Sequence, residues 1–486
     1  MSIVATRKTI RFNPDPKRVI ARFFMPGMAD RALSIFSRVA SLPEHQARQI
    51  IEEVLRRFAV RHRNMSRLLK ANYERARDVA ATAGDPPQRL SVDKKLLIGS
   101  YFTMEYSIES AAFYNPSIVP DPNQGLLPPG ELRVILSFRA TGEGHVSSIV
   151  FRGGTLDSNC DLTLDPPGTL VDRPETVRRH VYRKADFTAK LTEMRLHKDV
   201  MAEIIDRLDD TFSYGQLRAS IEQTRRRRDL SYSRQKVIDS IGWLADSHYE
   251  VTFSRDTGLG ERVIFPVSET ESNGLEDARF VRFSDESETT YYATYTAYNG
   301  YAILPKLMVT EDFCHFTIRP LHGQHAQNKG MSLFPRKLDG KYAMIGRCDG
   351  VNLYLLRSTD VHFWPDAVLI EGPKYPWEFV QIGNSGSPIE TPEGWLLITH
   401  GVGPLRTYCL GATLLDLDDP SVVIGRTTEP ILLPNADERE GYVPNVVYSC
   451  GSIVHNGQLV IPYAMADCAS SVATIPLSDL TRELRM

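Results

Sequence analysis

The segment TYYATYTAYNGYAILPKLMV (290–309) holds two runs of alternating apolar and polar residues separated by a short polar turn. Such alternation, bounded by turn residues, is typical of an antiparallel β-hairpin. Four further segments share this plan: RVILSFRATGEGHVSSIVFR (133–152), KYAMIGRCDGVNLYLLRSTD (341–360), GWLLITHGVGPLRTYCLGATLLDLDD (394–419) and GQLVIPYAMADCASSVATIPLSDL (457–480). The sequence therefore carries an internal repeat of five similar hairpins.

Five such hairpins cannot each bury an apolar face alone, whereas a closed ring of blades gives each one a neighbour. We therefore predict an all-β five-bladed β-propeller domain over residues 96–486, with a β-sandwich as the structural alternative. In a propeller the polar ends of the inner strands converge on the axis. That convergence forms a concave site with a few placed polar groups, which suits a small ligand.

Two regions depart from the β pattern. PEHQARQIIEEVLRRFAV (43–60) has apolar residues at 50, 51, 54, 55 and 58. This helical spacing, which continues in RNMSRLLKANYERARDVA (63–80), predicts an added N-terminal helical region over residues 1–95. A second such tract predicts a helical insertion at about 174–246. The apolar face of 43–60 needs a partner surface, either the propeller or another subunit, so a homo-oligomer is one expectation.

Composition excludes several classes of protein. The formal net charge is -3, and a nucleic-acid binder usually has a strong basic excess. The six cysteines include no CxxC pair, so we expect no metal site, no other cofactor and a reducing compartment. The N-terminus lacks the apolar run of a signal peptide, and no later stretch approaches 18 apolar residues. These features predict a cytoplasmic protein without membrane or nucleic-acid partners.

The segment ESNGLEDARFVRF (271–283) concentrates chemistry in a short loop before a strand. It holds Glu276, Asp277 and Arg279. An arginine two residues from an aspartate can orient the carboxylate or stabilise its ionised form. A turn carrying a surface ion pair is the alternative interpretation of the same residues.

NGLEDARF (273–280), followed by YYATYTAY (291–298), resembles the Gly-x-Glu-Asp-Pro-Arg motif and Tyr-x-Thr-Tyr-Thr strand of glycoside hydrolase family 130. Further similar motifs follow in the family's order: LFPRKLDGKYAMIGR (333–347), STDVHFW (358–364), SPIETPEGWLLITHGV (387–402), LGATLLDLDDPSVVIGRTTEPIL (410–432) and GYVPNVVYSCG (441–451). The resemblance runs from about Ser100 to the C-terminus, interrupted by the helical insertion. The chain departs from the family at Ala278, where proline is usual.

This resemblance implies a five-bladed propeller that cleaves β-mannosidic bonds with inversion, with Asp277 as the general acid, relayed in some members through a mannose hydroxyl. β-1,2-linked manno-oligosaccharides are the expected substrates. We expect the substrate to be bound by Asn115, Arg139, Glu276, Arg279, Tyr295, Lys329, Arg347, His400 and Asp467. Asparagine, aspartate and arginine can each make paired hydrogen bonds to sugar hydroxyls.

The nucleophile distinguishes hydrolysis from phosphorolysis. An inverting hydrolase needs a second carboxylate as base, whereas a phosphorylase needs cations to hold phosphate. Glu390 stands where phosphorylases of the family often have lysine, and TYTAYNG (294–300) lacks an arginine that they tend to carry. These departures favour hydrolysis, with Glu390 as the base and Glu438 as a further candidate.

Two other functions remain open from the sequence. The first is a phosphorylase that takes inorganic phosphate as co-substrate through Lys329, Arg347 and His400 and releases mannose 1-phosphate. The second is a non-catalytic sugar-binding propeller, which needs neither an acid nor a base. Asp277 and Glu390 together distinguish the enzyme from the binding protein.

Overall fold

The computed structural model of the chain describes residues 3–174, 176–179, 181–226, 231–285 and 288–486. The helices within these ranges are α1 (Ala29–Ala40), α2 (Glu44–Phe58), α3 (Met65–Ala80), α4 (Val92–Tyr101), α5 (Lys184–Glu193), α6 (Lys198–Ile205), α7 (Tyr214–Arg225), α8 (Tyr232–Asp246) and α9 (Leu477–Leu484).

The strands in the same ranges are numbered in chain order. They are β1 (Thr6–Phe12), β2 (Val19–Phe23), β3 (Thr103–Ser107), β4 (Ala112–Pro120), β5 (Leu132–Thr141), β6 (Ser147–Leu156), β7 (Leu162–Leu164), β8 (Thr176–Arg179), β9 (Val181–Arg183), β10 (Thr211–Ser213), β11 (Tyr249–Thr252), β12 (Val263–Ile264), β13 (Gly274–Asp285), β14 (Glu288–Tyr298), β15 (Ile303–Thr310), β16 (His315–Pro320), β17 (Ser332–Leu333), β18 (Tyr342–Gly346), β19 (Leu353–Ser358), β20 (Asp366–Glu371), β21 (Gln381–Asn384), β22 (Ile389–Thr391), β23 (Gly394–Val402), β24 (Tyr408–Leu415), β25 (Val423–Arg426), β26 (Val447–Tyr448), β27 (Ile453–His455), β28 (Gln458–Met465) and β29 (Ala469–Pro476).

The five hairpins predicted from the sequence are present as antiparallel pairs of consecutive strands. They are β5–β6, β14–β15, β18–β19, β23–β24 and β28–β29. In β14 the alternation has its expected effect, because Tyr291, Ala293, Tyr295 and Ala297 pack together in one apolar core. Successive side chains of a strand point to opposite faces, so the threonines between them face the other way. The hairpin prediction is confirmed.

The hairpins extend into five groups of hydrogen-bonded strands. The groups are β4–β7, β13–β16, β17–β20, β21–β25 and β26–β29 together with β1. The first two groups join through one parallel contact between Ser147 of β6 and Gly274 of β13. Strands β11 and β8 extend the outer edge of the second group beyond β16. The chain is thus mostly β with added helices, and closure of the five groups into a ring stays a prediction.

The last group is completed by the first strand of the chain. β1 pairs antiparallel with β29, which places Thr6 opposite Thr474 and Arg11 opposite Ser471. Nearby, the amide of Ile3 donates to a carboxylate oxygen of Glu483 at 3.1 Å. Strands β1 and β2 lie in the region 1–95 for which the sequence predicted helices, so these two segments depart from that prediction.

The chain forms two compact units. One comprises Met1–Pro14, Ala111–Pro167 and Pro174–Met486, and the other comprises Asp15–Ser110 with Gly168–Arg173. The second unit contains α1–α4, of which α2 and α3 confirm the helical periodicity of 43–60 and 63–80. Its helices enclose an apolar core that includes Phe36, Leu69 and Phe102.

Helices α5–α8 fall within the tract 174–246 and belong to the first unit. They have an apolar core of their own, which includes Ile204, Leu217 and Ile241. Residues 175, 180 and 227–230 of this tract lie outside the described residues. Across the part of the chain that the structure describes, no helix is both long and apolar enough to cross a membrane.

Candidate active site

Asp277 lies on β13 at a break in the pairing with β14. Glu276 is opposite Thr296 and Arg279 is opposite Thr294, so two residues of β13 face one residue of β14. Asp277 has a φ of 55°, a left-handed conformation that aspartate and asparagine adopt more readily than other residues with side chains. A bulge of this kind re-aims a side chain. Here it presents the carboxylate to residues of β4 and β5.

A second bulge, on β4, faces the first. Asn115 has a φ of 51° and lies where the register of β4 with β5 shifts between Tyr114 and Ser117. Its Nδ2 donates to Oδ1 of Asp277 at 2.7 Å. Two left-handed residues on two different strands therefore fix the orientation of one carboxylate.

Arg139 connects the two adjacent acids of β13. Its Nη1 donates to Oδ1 of Asp277 at 3.3 Å and its Nη2 donates to Oε1 of Glu276 at 2.9 Å. The Nε atom donates to Oγ of Ser147 at 2.9 Å. Glu276 receives a second cation, because Nζ of Lys329 donates to its Oε2 at 2.6 Å. Glu276 thus positions Arg139 and Lys329 beside Asp277.

The pKa values of Asp277 and Asp467 are shifted in opposite directions. Burial disfavours the charged form of Asp277, but Arg139, Asn115 and Lys329 outweigh burial and lower its pKa. Burial and the negative charge of Asp277 raise the pKa of Asp467 to about 7. At neutral pH Asp277 is therefore ionised, while Asp467 is protonated in a large fraction of molecules. Such a separation is typical of acidic pairs in active sites.

Further cationic and polar groups gather around Arg279, whose charge also lowers the pKa of Asp277. Arg279 is 2% exposed, and its Nη1 donates to the carbonyl oxygen of Asn384 and its Nη2 to the hydroxyl of Tyr448, both at 2.6 Å. The ring of His400 lies 4.8 Å from that of Tyr448 between centroids. Tyr448 is thus a shared neighbour of Arg279 and His400.

Arg347, directly after β18, is close to Arg279 and Tyr448 and has two hydrogen-bond donors without partners among the described residues. Its Nε and Nη1 atoms are buried and lack a hydrogen-bond partner among the described residues. Burial and the nearby charge of Arg279 lower the pKa of Arg347, yet a guanidinium stays charged in proteins. Burying a charge without a partner costs free energy. A bound anion would supply the missing acceptors.

His400 is neutral and has a defined tautomer. Burial, Arg347 and Arg279 together hold its pKa well below the usual value. Its Nδ1 lies 3.2 Å from the carbonyl oxygen of Asn384, which can only accept, so Nδ1 carries the proton. The ring packs against Gly383, where a Cβ atom would lie 2.3 Å from Cε1 of His400. Glycine at 383 is therefore required for this close approach.

The arrangement combines an oriented carboxylate, a second carboxyl group that retains its proton, and a cluster of cations with free donors. Such a site can transfer a proton and bind an anion next to it. Among the described residues, no group of His, Cys, Asp and Glu side chains could hold a metal ion.

The sequence was compared with known protein families. The model of glycoside hydrolase family 130, described as beta-1,4-mannooligosaccharide phosphorylase, matches residues 239–484, which is half of the chain. The chain belongs to glycoside hydrolase family 130. This is a family of β-mannoside-active enzymes, and the resemblance seen in the sequence motifs is confirmed.

Two of the matched relatives are named as phosphorylases. A 1,2-beta-oligomannan phosphorylase of Thermoanaerobacter sp. (strain X514) is 36% identical over 254 residues, covering 50% of this chain and 81% of the relative. A beta-1,2-mannobiose phosphorylase of Listeria innocua is 27% identical over 364 residues, covering 72% of this chain and 95% of the relative. The solved structure of a beta-1,2-mannobiose phosphorylase from Listeria innocua in complex with β-1,2-mannobiose is 23% identical and covers 77% and 92% of the two chains, with a TM-score of 0.45.

The structure brings most of the predicted site residues of this family 130 protein together. Contacts or electrostatic interactions link Asp277 and its neighbours into one cluster, comprising Asn115, Arg139, Glu276, Arg279, Lys329, Arg347, His400 and Asp467. Tyr295 does not present its ring to this cluster. The side chain is 3% exposed in the core with Tyr291, and its hydroxyl donates to Glu271 at 2.7 Å. The prediction that Tyr295 contacts the sugar is therefore wrong.

Glu390 lies away from Asp277, so its prediction as the catalytic base is also wrong. On β22 it is opposite Trp395 at one end of β23, whereas His400 is five residues further along that strand. At about 3.4 Å per residue, roughly 17 Å separate these two positions. The Glu390 carboxylate is 42% exposed and accepts both Nε and Nη2 of Arg336, at 2.9 and 2.6 Å. It forms a surface ion pair.

Replacing Glu390 with glutamine should change turnover by no more than about twofold, since surface substitutions of this kind have small effects. Steady-state rates on a β-mannoside provide the measurement. Glu276→Gln is the matched control, because it removes the charge that positions Arg139 and Lys329. We expect that control to lose more than about tenfold in rate, in keeping with the cost of charged hydrogen bonds. Loss of turnover in Glu390→Gln alone would restore the base assignment.

Glu438 is buried and its oxygens are already used by the protein. Oε1 accepts from Nε of Arg7 at 2.8 Å and from the hydroxyl of Tyr463 at 2.6 Å. Oε2 accepts from Nη2 of Arg7 at 2.7 Å and from the amide of Asn435 at 3.1 Å. No oxygen is left to activate a water molecule. The structure thus contradicts the prediction of Glu438 as a catalytic base and gives it a role in holding β1.

The Arg7–Glu438 pair makes stability depend on pH. Burial would raise the pKa of Glu438, but Arg7 and Tyr463 outweigh burial and lower it. The Arg7–Glu438 pair therefore contributes its full share to the free energy of unfolding above pH 4.5, the ordinary pKa of a glutamate. This contribution is lost as pH falls through the lower pKa that Glu438 has in the folded state. Arg7→Met should lower the free energy of unfolding by about 2 kcal/mol at neutral pH.

Denaturant unfolding of wild type and Arg7→Met across the acidic range measures this difference, which should narrow towards low pH. Lys8→Met is the control, since Lys8 makes an outer ion pair with the exposed Asp161 and should contribute less than about 1 kcal/mol. An equal loss in both variants would contradict the role of Glu438.

Sequence reasoning missed two residues of the site. Tyr448 is in the quoted motif GYVPNVVYSCG, and Asn384 lies three residues before the first residue of SPIETPEGW. Asn384 holds the site together, because its carbonyl oxygen accepts from both Arg279 and His400. A polar residue that ends a strand, as Asn384 ends β21, was the available signal for it. A tyrosine on a buried strand carries no such signal.

Proposed function

We propose that the chain is a β-mannoside phosphorylase that cleaves β-1,2-linked manno-oligosaccharides with inversion and releases α-mannose 1-phosphate. One observation carries this proposal: the buried Nε and Nη1 atoms of Arg347, beside Arg279 and His400, have no hydrogen-bond partner among the described residues. Phosphate is the co-substrate whose negative charge and acceptor oxygens match these two donor atoms. The names of the two relatives support the same activity.

This proposal replaces the hydrolysis that the sequence favoured. Hydrolysis with inversion needs a base that activates water about 6.5–9.5 Å from the acid. Glu390 and Glu438, the two carboxylates predicted for that task, are engaged in ion pairs with Arg336 and Arg7. Phosphate is already nucleophilic, so phosphorolysis needs cations in place of the base.

The five groups of strands are consistent with a propeller that has a central active site. We infer that they are the five blades of a propeller whose axis passes the Asp277 cluster. Residues of that cluster come from strands in all of the groups, including Asn115 on β4, Asp277 on β13, Arg347 after β18, His400 on β23 and Tyr448 on β26. Closure of a ring would bring the ends of these strands to a common centre.

Phosphate binding would also prepare the acid. The neighbouring cations and Asn115 lower the pKa of Asp277, which disfavours proton donation. A phosphate dianion beside Arg279 and Arg347 would add a like charge and raise the pKa of Asp277. The glycosidic C–O bond then breaks, a phosphate oxygen bonds to C1, and the departing oxygen receives the proton, directly or through a sugar hydroxyl. Asn115, Arg139 and Asp467 are the residues we assign to the mannose.

Incubating the protein with β-1,2-mannobiose, with and without inorganic phosphate, tests the proposal. We expect mannose 1-phosphate and mannose in equal amounts, and only when phosphate is present. Free mannose in both reactions would mean hydrolysis and overturn the proposal. Absence of products in both, with sugar binding retained, would favour the non-catalytic sugar-binding protein.

A further inference from the structure

A cavity of about 270 Å³ lies away from the Asp277 cluster, between β9–α5 and the outer edge of the β13–β16 group. Tyr182 and Phe187 line one part of it, and Arg319, His322 and His362 line another. No residue of the Asp277 cluster lines this cavity. The part of the chain that supplies β9 and α5 also lies outside residues 239–484, which match the family.

Strand register fixes the separation of this cavity from the catalytic cluster. Arg319 is opposite Leu307, Leu307 is opposite Thr294, and Thr294 is opposite Arg279. Neighbouring strands are about 4.8 Å apart, so three spacings place the two arginine backbones roughly 14 Å apart. The cavity is thus a separate site on the outer part of the same sheet.

Three buried polar atoms in the lining residues lack partners. They are Nε of Arg319, Nδ1 of His322 and Nδ1 of His362, none of which has a hydrogen-bond partner among the described residues. His322 is only 7% exposed. Buried polar atoms are normally satisfied, so three such atoms around one cavity indicate a ligand that satisfies them.

The nearby carboxylates are already paired. Asp186 and Asp360 both accept from Arg183, at 2.6 and 3.1 Å. Glu193 accepts from Lys190 at 3.1 Å and from the amide of Gly323 at 2.5 Å. Asp186 and Asp360 thus share the cation of Arg183, and Glu193 is paired with Lys190. Glu250 on β11 acts on Arg319 through its charge, but the guanidinium of Arg319 has no hydrogen-bonded carboxylate in the described ranges.

The charge states of Arg319, His322 and His362, which line the cavity, favour binding of an anion. Burial lowers the pKa of Arg319, and burial together with the charge of Arg319 lowers the pKa of His362 to about 4. His322 also has a lowered pKa because it is buried. Both imidazoles are therefore neutral at pH 7 and can place an N–H at Nδ1, beside a guanidinium that remains charged.

We propose that this cavity binds a phosphate monoester on a body the size of a monosaccharide. Donors on three separate side chains suit the three terminal oxygens of a phosphate better than the two oxygens of a planar carboxylate. Tyr182 and Phe187 offer apolar faces to the rest of the ligand. The cavity is near the lower end of the usual size of ligand pockets, about 300 Å³, which limits the body to one ring.

The ligand could be the phosphorylated sugar that the proposed reaction releases or another sugar phosphate. Calorimetric titration of the protein with mannose 1-phosphate and with mannose 6-phosphate distinguishes these sources, since the proposed reaction does not produce the second. Mannose itself is the uncharged probe. We expect mannose 6-phosphate to bind in the millimolar range or tighter and mannose not to bind at this cavity.

Arg319→Met and His362→Phe test the location. Each should weaken binding of mannose 6-phosphate by about tenfold or more, because a hydrogen bond to a charged group contributes about 1.5–3 kcal/mol. Neither should change turnover by more than about twofold. Arg347→Met, in the catalytic cluster, should leave this binding unchanged, as should Arg357→Met on β19.

Three results would overturn the proposal. They are absence of binding of both sugar phosphates to the wild type, unchanged binding in Arg319→Met and His362→Phe, and loss of mannose 6-phosphate binding in Arg347→Met. If one of the two cavity variants fails to fold, the other decides the location. The proposal does not depend on phosphorolysis, because binding is measured without turnover and with a ligand outside the proposed reaction.

Discussion

Asp277→Asn should lower turnover by about 10²–10⁴-fold, the usual contribution of general acid catalysis. The amide cannot give a proton to the departing glycosidic oxygen. The backbone should tolerate the change, because asparagine adopts the left-handed conformation as readily as aspartate. The amide oxygen can still accept from Asn115, and Arg139 keeps Glu276 as a partner.

Steady-state rates and thermal unfolding of wild type and Asp277→Asn measure the two parts of this expectation. Asp285→Asn is the matched control, since Asp285 ends the same strand and pairs with Lys337 at the surface. It should retain the wild-type rate. If Asp277→Asn kept more than half of the activity, Asp277 would have no part in proton transfer.

Arg347→Met should lower the specificity constant for phosphate by about 10²–10⁴-fold. Two unpaired donors of a charged group, each forming a hydrogen bond of about 1.5–3 kcal/mol with phosphate, account for a loss of this size. Stability should stay the same or increase, because the variant removes a charged group whose buried Nε and Nη1 atoms have no hydrogen-bond partner in the part of the chain that the structure describes. A simple folding defect would therefore be recognised by a fall in melting temperature.

The measurement is initial rate against phosphate concentration at saturating mannobiose, together with the affinity for mannobiose alone. Arg336→Met is the control, as its guanidinium pairs with Glu390 at the surface. An unchanged response to phosphate combined with weaker mannobiose binding would assign Arg347 to the sugar. Phosphorolysis would then need another anion site.

The sequence predicted those features that depend on local pattern. The alternation of apolar and polar residues in TYYATYTAY is sufficient to predict strand β14, and the spacing of Ile50, Ile51 and Val54 is sufficient to predict helix α2. Of the residues in the Asp277 cluster, Glu276, Asp277, Arg279, Arg347 and His400 lie in motifs similar to those of the family, and their role in catalysis stays a prediction. Their position at strand ends and bulges follows from polar residues interrupting apolar runs.

The errors came from geometry that a motif does not contain. Glu390 follows Pro-Ile in a family motif, but its distance from His400 depends on the register between β22 and β23. Tyr295 lies on the same face of β14 as the buried Tyr291 and Ala293, so the alternation of faces along the strand would have predicted a buried side chain. Pairing of β1 with β29 joins residues almost a chain length apart, and no local signal encodes it.

That pairing has a consequence for biosynthesis. At roughly 5–20 residues per second, translation takes on the order of 20–90 seconds to proceed from β1 to β29. Throughout this interval β1 has no partner for its hydrogen bonds, and an unpaired strand can associate with other nascent chains. Its sequence TRKTIRF carries three positive charges, on Arg7, Lys8 and Arg11. Like charges on nascent chains of neighbouring ribosomes repel one another, so we expect these residues to protect the strand until its partner has left the ribosome.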